Sequence, residues 1–373
     1  MESTVFGKIK KFIKQELVLC VAIFLALVSS IFQRPTLESI DFGVLSVLLA
    51  LMLVVAGLKS IRFLDWLAVE FLNKCTSLRQ VNGMLILITY VSSMFVTNDV
   101  ALITFVPLSL VIRKKLRVDM VRTIVIQTMA ANLGSMVTPP GNPQNLFLYA
   151  HFDYTAWKFF LVMIGPTLLA ALFLGILCYR GRNKKLKPNL EPMDKPDQKL
   201  TYLYIALLFL NIGAVLHFVD KFIALGITAA ILLFINRSLF KVVDYSLLIT
   251  FIGFFVFIGN ISHTAFVDYL RTNVLGSNLG TYLAGLFLSQ IISNVPAAML
   301  LAGLTSAADA LLLGVNIGGL GTLIASMASV ISYKIYVAEH PYQAKVFLKT
   351  FTVYNIAGLI LIGIPVALWF YFF

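Results

Sequence analysis

The chain has 373 residues, of which 60% are hydrophobic and only 12% are charged, and its mean hydropathy is +0.92. This apolar fraction exceeds that of ordinary globular domains, and long apolar runs cover the whole chain. The composition excludes a soluble fold and predicts an all-α polytopic membrane protein. Roughly ten passages of about 20 residues each use the full length and leave no room for a sizeable soluble domain.

The net charge of +12 is explained by a membrane topology and does not require a nucleic-acid partner. The segments predicted to cross are 16–32, 40–58, 119–150, 156–179, 200–218, 222–236, 242–261, 309–333 and 348–371. With the N-terminal Lys8, Lys10, Lys11 and Lys14 on the cytoplasmic side, 25 Lys and Arg lie inside and only 4 lie outside. The positive-inside rule then predicts a multi-pass protein of the cell membrane with a cytoplasmic N-terminus and an external C-terminus.

The first membrane repeat is predicted over 1–179 and contains two interruptions. Thr97, Asn98 and Asp99 break the apolar stretch 81–112, and a full pass there would move the basic residues that follow it to the outside. We therefore expect a re-entrant hairpin over 81–112. The next span, 119–150, carries three prolines and a glycine within eight residues, so no continuous helix passes through it.

A basic segment, 180–199, is predicted to be an exposed cytoplasmic linker. The second repeat follows within 200–373, after an extra span at 200–218. It again has a polar tip inside an apolar hairpin, 279–304, and a Gly-rich interruption in the span 309–333.

Matching motifs indicate that the two repeats arose by duplication. Asp41 precedes an apolar helix as Asp244 does, at a shift of 203 residues, and the shift falls to 196 between Asn98 and Asn294 and to 184 between Asn132 and Asn316. Chance identity is the alternative. Because one span is inserted between the copies, the repeats are predicted to be inverted, so that both hairpin tips meet inside the bundle.

These tips and breaks form the predicted binding site for substrate and ion. Its residues are Thr97, Asn98, Asp99, Asn132, Gly134, Thr138, Pro140, Gly141, Asn142, Gln144, Asn145, Ser293, Asn294, Pro296, Asn316, Gly318, Gly319, Gly321 and Thr322. Helix N-termini at the tips stabilise anions, and amide, hydroxyl and carbonyl oxygens suit a sodium ion, which Asn98 and Asn294 could hold. No other cofactor is implied.

Each motif also has a structural explanation that the sequence leaves open. Asn, Asp and Ser could only cap half-helices, the run 138–145 could be an ordinary loop, and the glycines could serve close helix packing. Asp99 is the sharper signal, because an acidic side chain near the bilayer centre costs about 2.5 to 3.5 kcal/mol and requires a cation, a proton or neighbouring amides.

From Val96 to Leu102, and from Asn132 through Thr138 to Asn145, the sequence resembles the ion transporter superfamily. This superfamily contains arsenite permeases, NhaD-type antiporters, divalent-anion/sodium symporters and citrate-transporter-like proteins. The resemblance implies an inverted-repeat helical bundle with two re-entrant hairpins and two broken transmembrane helices. It also implies substrate and sodium sites at the tips, a moving domain and, by analogy, a homodimer. The pair Asn98-Asp99 is more similar to the arsenite-permease branch.

We therefore expect a secondary active transporter of a small anion, either an inorganic oxyanion such as arsenite or a di- or tricarboxylate. Coupling to Na⁺ or H⁺ and an elevator-like alternating-access mechanism complete this expectation. A Na⁺/H⁺ antiporter and an ion channel are the alternatives. An enzyme is disfavoured, since no His-Glu-x-x-His, Gly-x-Ser-x-Gly or paired-Asp arrangement occurs in the spans.

Overall fold

A computed structural model describes residues 16–181, 183–262 and 264–372. Within these ranges the chain forms seventeen α-helices and a few short 3₁₀ turns, and no β-strand longer than one isolated bridge between Ser77 and Lys185. The predicted all-α class is confirmed. The basic cluster Lys8, Lys10, Lys11 and Lys14 lies outside the described residues.

The helices are numbered in chain order. They are α1 Leu17–Phe32, α2 Phe42–Ser60, α3 Phe63–Asn73, α4 Leu78–Val96, α5 Asn98–Leu116, α6 Val121–Ser135, α7 Pro143–His151, α8 Ala156–Tyr179, α9 Gln198–Val215, α10 Lys221–Ile235, α11 Tyr245–Ile261, α12 Ala265–Asn273, α13 Asn278–Ile292, α14 Asn294–Ala302, α15 Ala308–Ile317, α16 Met327–Glu339 and α17 Ala344–Phe372.

Four helical segments in the described ranges are long and apolar enough to cross a membrane: α2, α8, α9 and the segment Pro341–Phe372 that contains α17. Shorter apolar helices include α1, α10, α11, α13 and α15. Large apolar side chains such as Leu161, Leu168, Ile360 and Leu368 are exposed on α8 and α17. Exposed apolar surface of this extent suits contact with lipid, which agrees with the polytopic class.

Packing divides the helices into two groups. In the first group α1 packs on α11, while α2 packs on both α9 and α10. In the second group α4 packs on α6, α13 packs on α15, and α17 contacts α6, α8 and α13. The two groups meet in smaller contacts, where α2 touches α7 and α11 touches α14.

Corresponding helices begin with corresponding caps. The Asp41 carboxylate accepts a hydrogen bond from Val44 N at 2.9 Å at the start of α2, and the Asp244 carboxylate accepts one from Leu247 N at 3.1 Å at the start of α11. A side-chain oxygen at this position satisfies one of the free N–H groups of the first turn. The two aspartates that match in the sequence therefore perform the same local task.

Each predicted hairpin is a pair of helices joined by a single residue. Thr97 joins α4 to α5 with φ 72° and ψ 155°, and Ser293 joins α13 to α14 with φ 79° and ψ 153°. The first pair covers 78–116 and extends beyond the predicted 81–112, because Ser77 caps α4 and three basic residues lie in the last turn of α5. Cations are favoured at a helix C-terminus.

The segment 183–197 is non-helical and mostly exposed, and it is anchored to the protein. Asn73 pairs with the backbone of Leu190 through two hydrogen bonds, at 3.2 and 2.8 Å. The backbone of Leu78 bonds to that of Lys184, and the backbone of Leu186 bonds to that of Thr76. This docking of the linker beside the start of the first hairpin could not be anticipated from its composition.

Candidate functional site

The segments 119–150 and 309–333 each contain an interruption between two helices. The α6 helix ends at Ser135 and α7 begins at Pro143, with a 3₁₀ turn over Pro139–Gly141 between them. The second break lies between α15 and α16 and has its 3₁₀ turn at Leu323–Ala325, 184 residues later. The interrupted backbone is buried by protein on most sides, a condition for non-helical chain at membrane depth.

Each broken helix consists of a first part, α6 or α15, and a second part, α7 or α16. Two buried asparagines, Asn132 on α6 and Asn316 on α15, each bond to the start of the second part of the other broken helix. Asn132 Oδ1 accepts from Ser326 Oγ at 2.9 Å, and Asn132 Nδ2 donates to Ser329 Oγ at 3.3 Å. Asn316 Oδ1 accepts from Asn142 Nδ2 at 3.2 Å, and Asn316 Nδ2 donates to Asn145 Oδ1 at 2.6 Å. All three pairs, 132 with 316, 142 with 326 and 145 with 329, are separated by 184 residues.

The hairpin tips lie against the same structure. Asn98, the first residue of α5, donates from Nδ2 to Asn132 Oδ1 at 3.1 Å. Asn132 Nδ2 reaches the carbonyl oxygen of Gly319 at 3.4 Å. A β-carbon built on Gly319 would stand 2.9 Å from Nδ2 of Asn294, so the second tip lies directly against this glycine. The tips therefore meet through Asn132 and the second break.

Each break is also tied to its own hairpin by a matching bond. The Thr138 hydroxyl donates to the carbonyl of Met94, and the Thr322 hydroxyl donates to the carbonyl of Gln290 at 2.9 Å. In the second half the Gln290 amide additionally donates to the carbonyls of Gly318 and Leu320, at 2.7 and 3.0 Å. Thr322 itself is exposed, so this bond holds the second break at the protein surface.

Four helices begin in this region: α5 and α14 at the tips, and α7 and α16 at the ends of the breaks. The first turns of a helix leave N–H groups without intrahelical partners and carry the positive end of the helix dipole. Asn142 satisfies one such group, because its Oδ1 accepts from Asn145 N at 2.8 Å. Asn98 Oδ1 accepts from Asp99 N at 3.0 Å. The convergence concentrates partial positive charge around neutral amides.

Several buried polar atoms of the site have no hydrogen-bond partner among the described residues. They are Ser293 Oγ, Gln144 Oε1 and Asp99 Oδ1. Ser293 and Gln144 are only 1% and 2% exposed, so water does not solvate them from the bulk. A buried polar atom without a partner costs free energy, and such atoms beside several helix N-termini are candidates to contact a ligand.

The predicted glycines serve close approach of backbone segments. A β-carbon on Gly134 would lie 2.2 Å from the Tyr90 carbonyl oxygen, and one on Gly141 would lie 2.1 Å from the Ser135 carbonyl oxygen. The space is less restricted at the second break, where a β-carbon on Gly318 would lie 2.7 Å from the Gly314 carbonyl oxygen and one on Gly319 would lie 2.9 Å from the Asn294 side chain; Gly321 has a positive φ of 106°. Close packing thus explains the glycines, whereas Pro140 and Pro296 are buried at the starts of a 3₁₀ turn and of α14.

Sequence reasoning missed four polar residues of this network: Ser135, Gln290, Ser326 and Ser329. The two serines at the start of α16 are 1% and 0% exposed and face Asn132. A signal for them existed, because Ser326 and Ser329 occupy the positions of Asn142 and Asn145 at the shift of 184. Gln290 had no such signal, since its counterpart in the first half is Met94.

Comparison with known proteins identifies relatives over most of the chain. The model of a family described as citrate transporter matches residues 13–312. An uncharacterized transporter of Methanocaldococcus jannaschii is 30% identical over 319 residues, which cover 84% of this chain and 87% of that protein. The inner membrane protein YbiR of Escherichia coli is 29% identical over 80% of each chain.

The human P protein also matches, at 30% identity over 159 residues, 41% of this chain and 18% of that much longer protein. The family match and the transporter among the relatives indicate a transporter and not an enzyme. From the fold, the apolar helices and the family match, we conclude that this chain is a multi-pass membrane transporter that belongs to the citrate transporter family.

Proposed function

We propose that the protein is a secondary active transporter of a small anion, either a carboxylate or an inorganic oxyanion, coupled to Na⁺ or H⁺. The observation that carries this proposal is the convergence of four helix N-termini on one buried network of asparagines. Helix N-termini that meet at broken segments are a recurrent anion-binding arrangement in transporters. The description of the family favours a carboxylate such as citrate.

The anion is expected to bind to N–H groups and amides, since the described site contains no Lys or Arg among its predicted residues. Asn294 suits this role. Its side chain is 3% exposed and makes no hydrogen bond with any residue that the structure describes, so its amide donor is available to a ligand. Gln144 and Ser293 supply further buried polar groups without partners in the described ranges.

The coupling ion requires oxygen ligands, and the first tip offers a carboxylate. Asp99 Oδ1 is buried, with no described residue as hydrogen-bond partner, in the first turn of α5. An ionised carboxylate in such a place is stabilised by a cation or neutralised by a proton. Side-chain and carbonyl oxygens near Asn98 and Asn294 complete a set that fits a sodium ion.

We further propose that the halves are inverted repeats and that the second helix group moves relative to the first. This movement would expose the tips alternately to the two sides. The smaller contacts between the groups, α2 with α7 and α11 with α14, support it, because a sliding boundary should be less extensively packed than the bodies on either side.

Reconstituted vesicles provide the test. Purified protein should take up labelled citrate, succinate, phosphate or arsenite by counterflow, and a sodium or proton gradient should increase the uptake. Counterflow separates a carrier from a channel, because only a carrier is stimulated by unlabelled substrate on the opposite side. Absence of uptake of every anion in this panel would contradict the proposal.

A Na⁺/H⁺ antiporter is a second candidate, and the unpartnered carboxylate oxygen of Asp99 in the described site favours it. In that case vesicles should show proton flux driven by a sodium gradient without any anion. Asp99→Asn should abolish this flux. Proton flux that needs the anion would instead support the symporter.

A further inference from the structure

The two buried asparagines Asn132 and Asn316 differ in one respect that bears on coupling. Both bond to the start of the second part of the other broken helix, and both are almost completely buried, at 4% and 3% exposure. Of the two, only Asn132 also accepts a hydrogen bond from a hairpin tip, that of Asn98 at 3.1 Å. The side chain of Asn294 makes no such bond with Asn316 or with any other described residue.

Through Asn132 the two tips are joined by a short chain of contacts. Asn98 donates to Asn132 Oδ1, and Asn132 donates to the carbonyl of Gly319 at 3.4 Å. Gly319 in turn lies against the amide of Asn294, which would be 2.9 Å from a β-carbon at position 319. The first tip thus reaches the second through two residues only.

Burial makes this chain of contacts sensitive to ligands. Asn132 Oδ1 accepts from both Asn98 Nδ2 and Ser326 Oγ. A cation that binds Asn98 Oδ1 competes with the Asp99 N–H for that oxygen and turns the Asn98 amide, which changes the bond from Asn98 Nδ2 to Asn132. In a buried network the remaining bonds polarise and rearrange together. A shift of Asn132 towards Ser326 would change the length of the bond from Asn132 Nδ2 to the Gly319 carbonyl oxygen. The position of Gly319 against the Asn294 side chain would change with it.

We infer that Asn132 is the positioning residue that couples occupancy of the first tip to occupancy of the second, so that ion binding at Asn98 and Asp99 sets the affinity for the anion at Asn294. This inference rests on the proposed function. Two chemically identical residues are thereby given different roles, because Asn316 holds the halves together in the same way without a hydrogen bond to a tip.

The quantity to measure is the coupling ratio, the factor by which saturating Na⁺ lowers the KM for labelled citrate in vesicles, or by which a proton gradient does so if Na⁺ has no effect. Coupling between sites commonly corresponds to a factor of about 5 to 150, and it is reciprocal for binding. In Asn132→Ala the ratio should fall to near 1, with citrate still carried at high concentration. Stabilisation of the purified protein by Na⁺ should likewise cease to depend on citrate.

Asn316→Ala is the matched control. It removes the equivalent bonds to Asn142 and Asn145 and leaves the bond between Asn98 and Asn132 in place. Whatever it does to the rate of transport, it should keep the wild-type coupling ratio. A loss of coupling in both variants would show that coupling depends on any hydrogen bond between the two halves and not on Asn132 in particular, and it would overturn the inference. A wild-type coupling ratio in Asn132→Ala would overturn it as well.

If Asn132→Ala does not fold, Gly319→Ala decides the question from the other end. Its methyl group would lie 2.9 Å from Nδ2 of the Asn294 side chain, which can move, and 3.2 Å from the Asn316 carbonyl oxygen, which needs to shift by only a few tenths of an ångström, so the fold should be retained. The coupling ratio should fall while Asn132 is intact, and an unchanged ratio would overturn the inference. A wild-type protein that carries no anion contradicts the proposed function itself, which is a different result from carriage with coupling that Asn132 does not affect.

Discussion

The two hairpin tips share a backbone and differ in chemistry. Thr97 and Ser293 adopt nearly the same positive-φ conformation, and an asparagine begins the following helix in each case. At the position after that asparagine the first tip has Asp99 and the second has Val295. Two tips with one scaffold thus carry a carboxylate in one case and only neutral polar groups in the other, which suits two different ligands.

The largest effect is expected from Asp99→Asn, which makes the first tip as uncharged as the second. An amide can neither exchange a proton nor balance a cation, so ion-driven uptake should fall by at least about tenfold, equivalent to ~1.4 kcal/mol. The measurement is citrate uptake against Na⁺ concentration and pH.

Asp309→Asn is its control. Asp309 lies in the first turn of α15, away from the tips. Its carboxylate accepts a hydrogen bond from the Tyr154 hydroxyl at 2.7 Å and lies 3.5 Å from the Lys158 ammonium. Its replacement should leave the ion dependence in place. Equal loss of ion dependence in both variants would remove the special role of Asp99.

Among the positions at which the two breaks differ is one where the first has Gly141 and the second has Ala325. A methyl group at 141 would lie 2.1 Å from the Ser135 carbonyl oxygen, a backbone atom that cannot move aside cheaply. Gly141→Ala should therefore lower the free energy of unfolding by about 1 to 3 kcal/mol. Thermal unfolding in detergent measures this, with Gly165→Ala as control, since nothing lies within 4 Å of a β-carbon there.

Asn98→Ala and Asn294→Ala should separate stability from transport. The first removes a buried hydrogen bond and should cost about 0.5 to 1.5 kcal/mol of stability, whereas the second removes no bond to a described residue and should cost less. Both should impair transport if both tips bind ligands. Equal stability losses would indicate that Asn294 is bonded in the membrane as Asn98 is.

The smallest effect is expected at the turns themselves. A residue other than glycine at this φ and ψ is strained by roughly 1 to 3 kcal/mol, and replacement by glycine relieves that strain. The greater conformational freedom of glycine in the unfolded chain offsets part of this stabilisation. Thr97→Gly should raise the midpoint of thermal unfolding slightly, and Ser293→Gly less, because threonine is β-branched. No gain in either variant would argue that the turn is not strained.

Much of this architecture could be predicted from the sequence. The lipid-facing composition, the hairpin turns at Thr97 and Ser293 and the breaks after Asn132 and Asn316 are local properties, since apolar runs, proline and glycine determine where a helix can persist. The shifts of 203, 196 and 184 residues also identify equivalent positions from the order of residues alone.

Only the tertiary structure decided which equivalent residues touch. That Asn132 bonds to Ser326 and Ser329, that Asn316 bonds to Asn142 and Asn145, and that Asn98 but not Asn294 joins this network depends on how helices distant in sequence pack. The physical reason is the short range of the hydrogen bond, because a difference of about 1 Å between two similar helix pairs makes or removes it. Composition and periodicity specify each helix, but they do not fix its position against another helix to that accuracy.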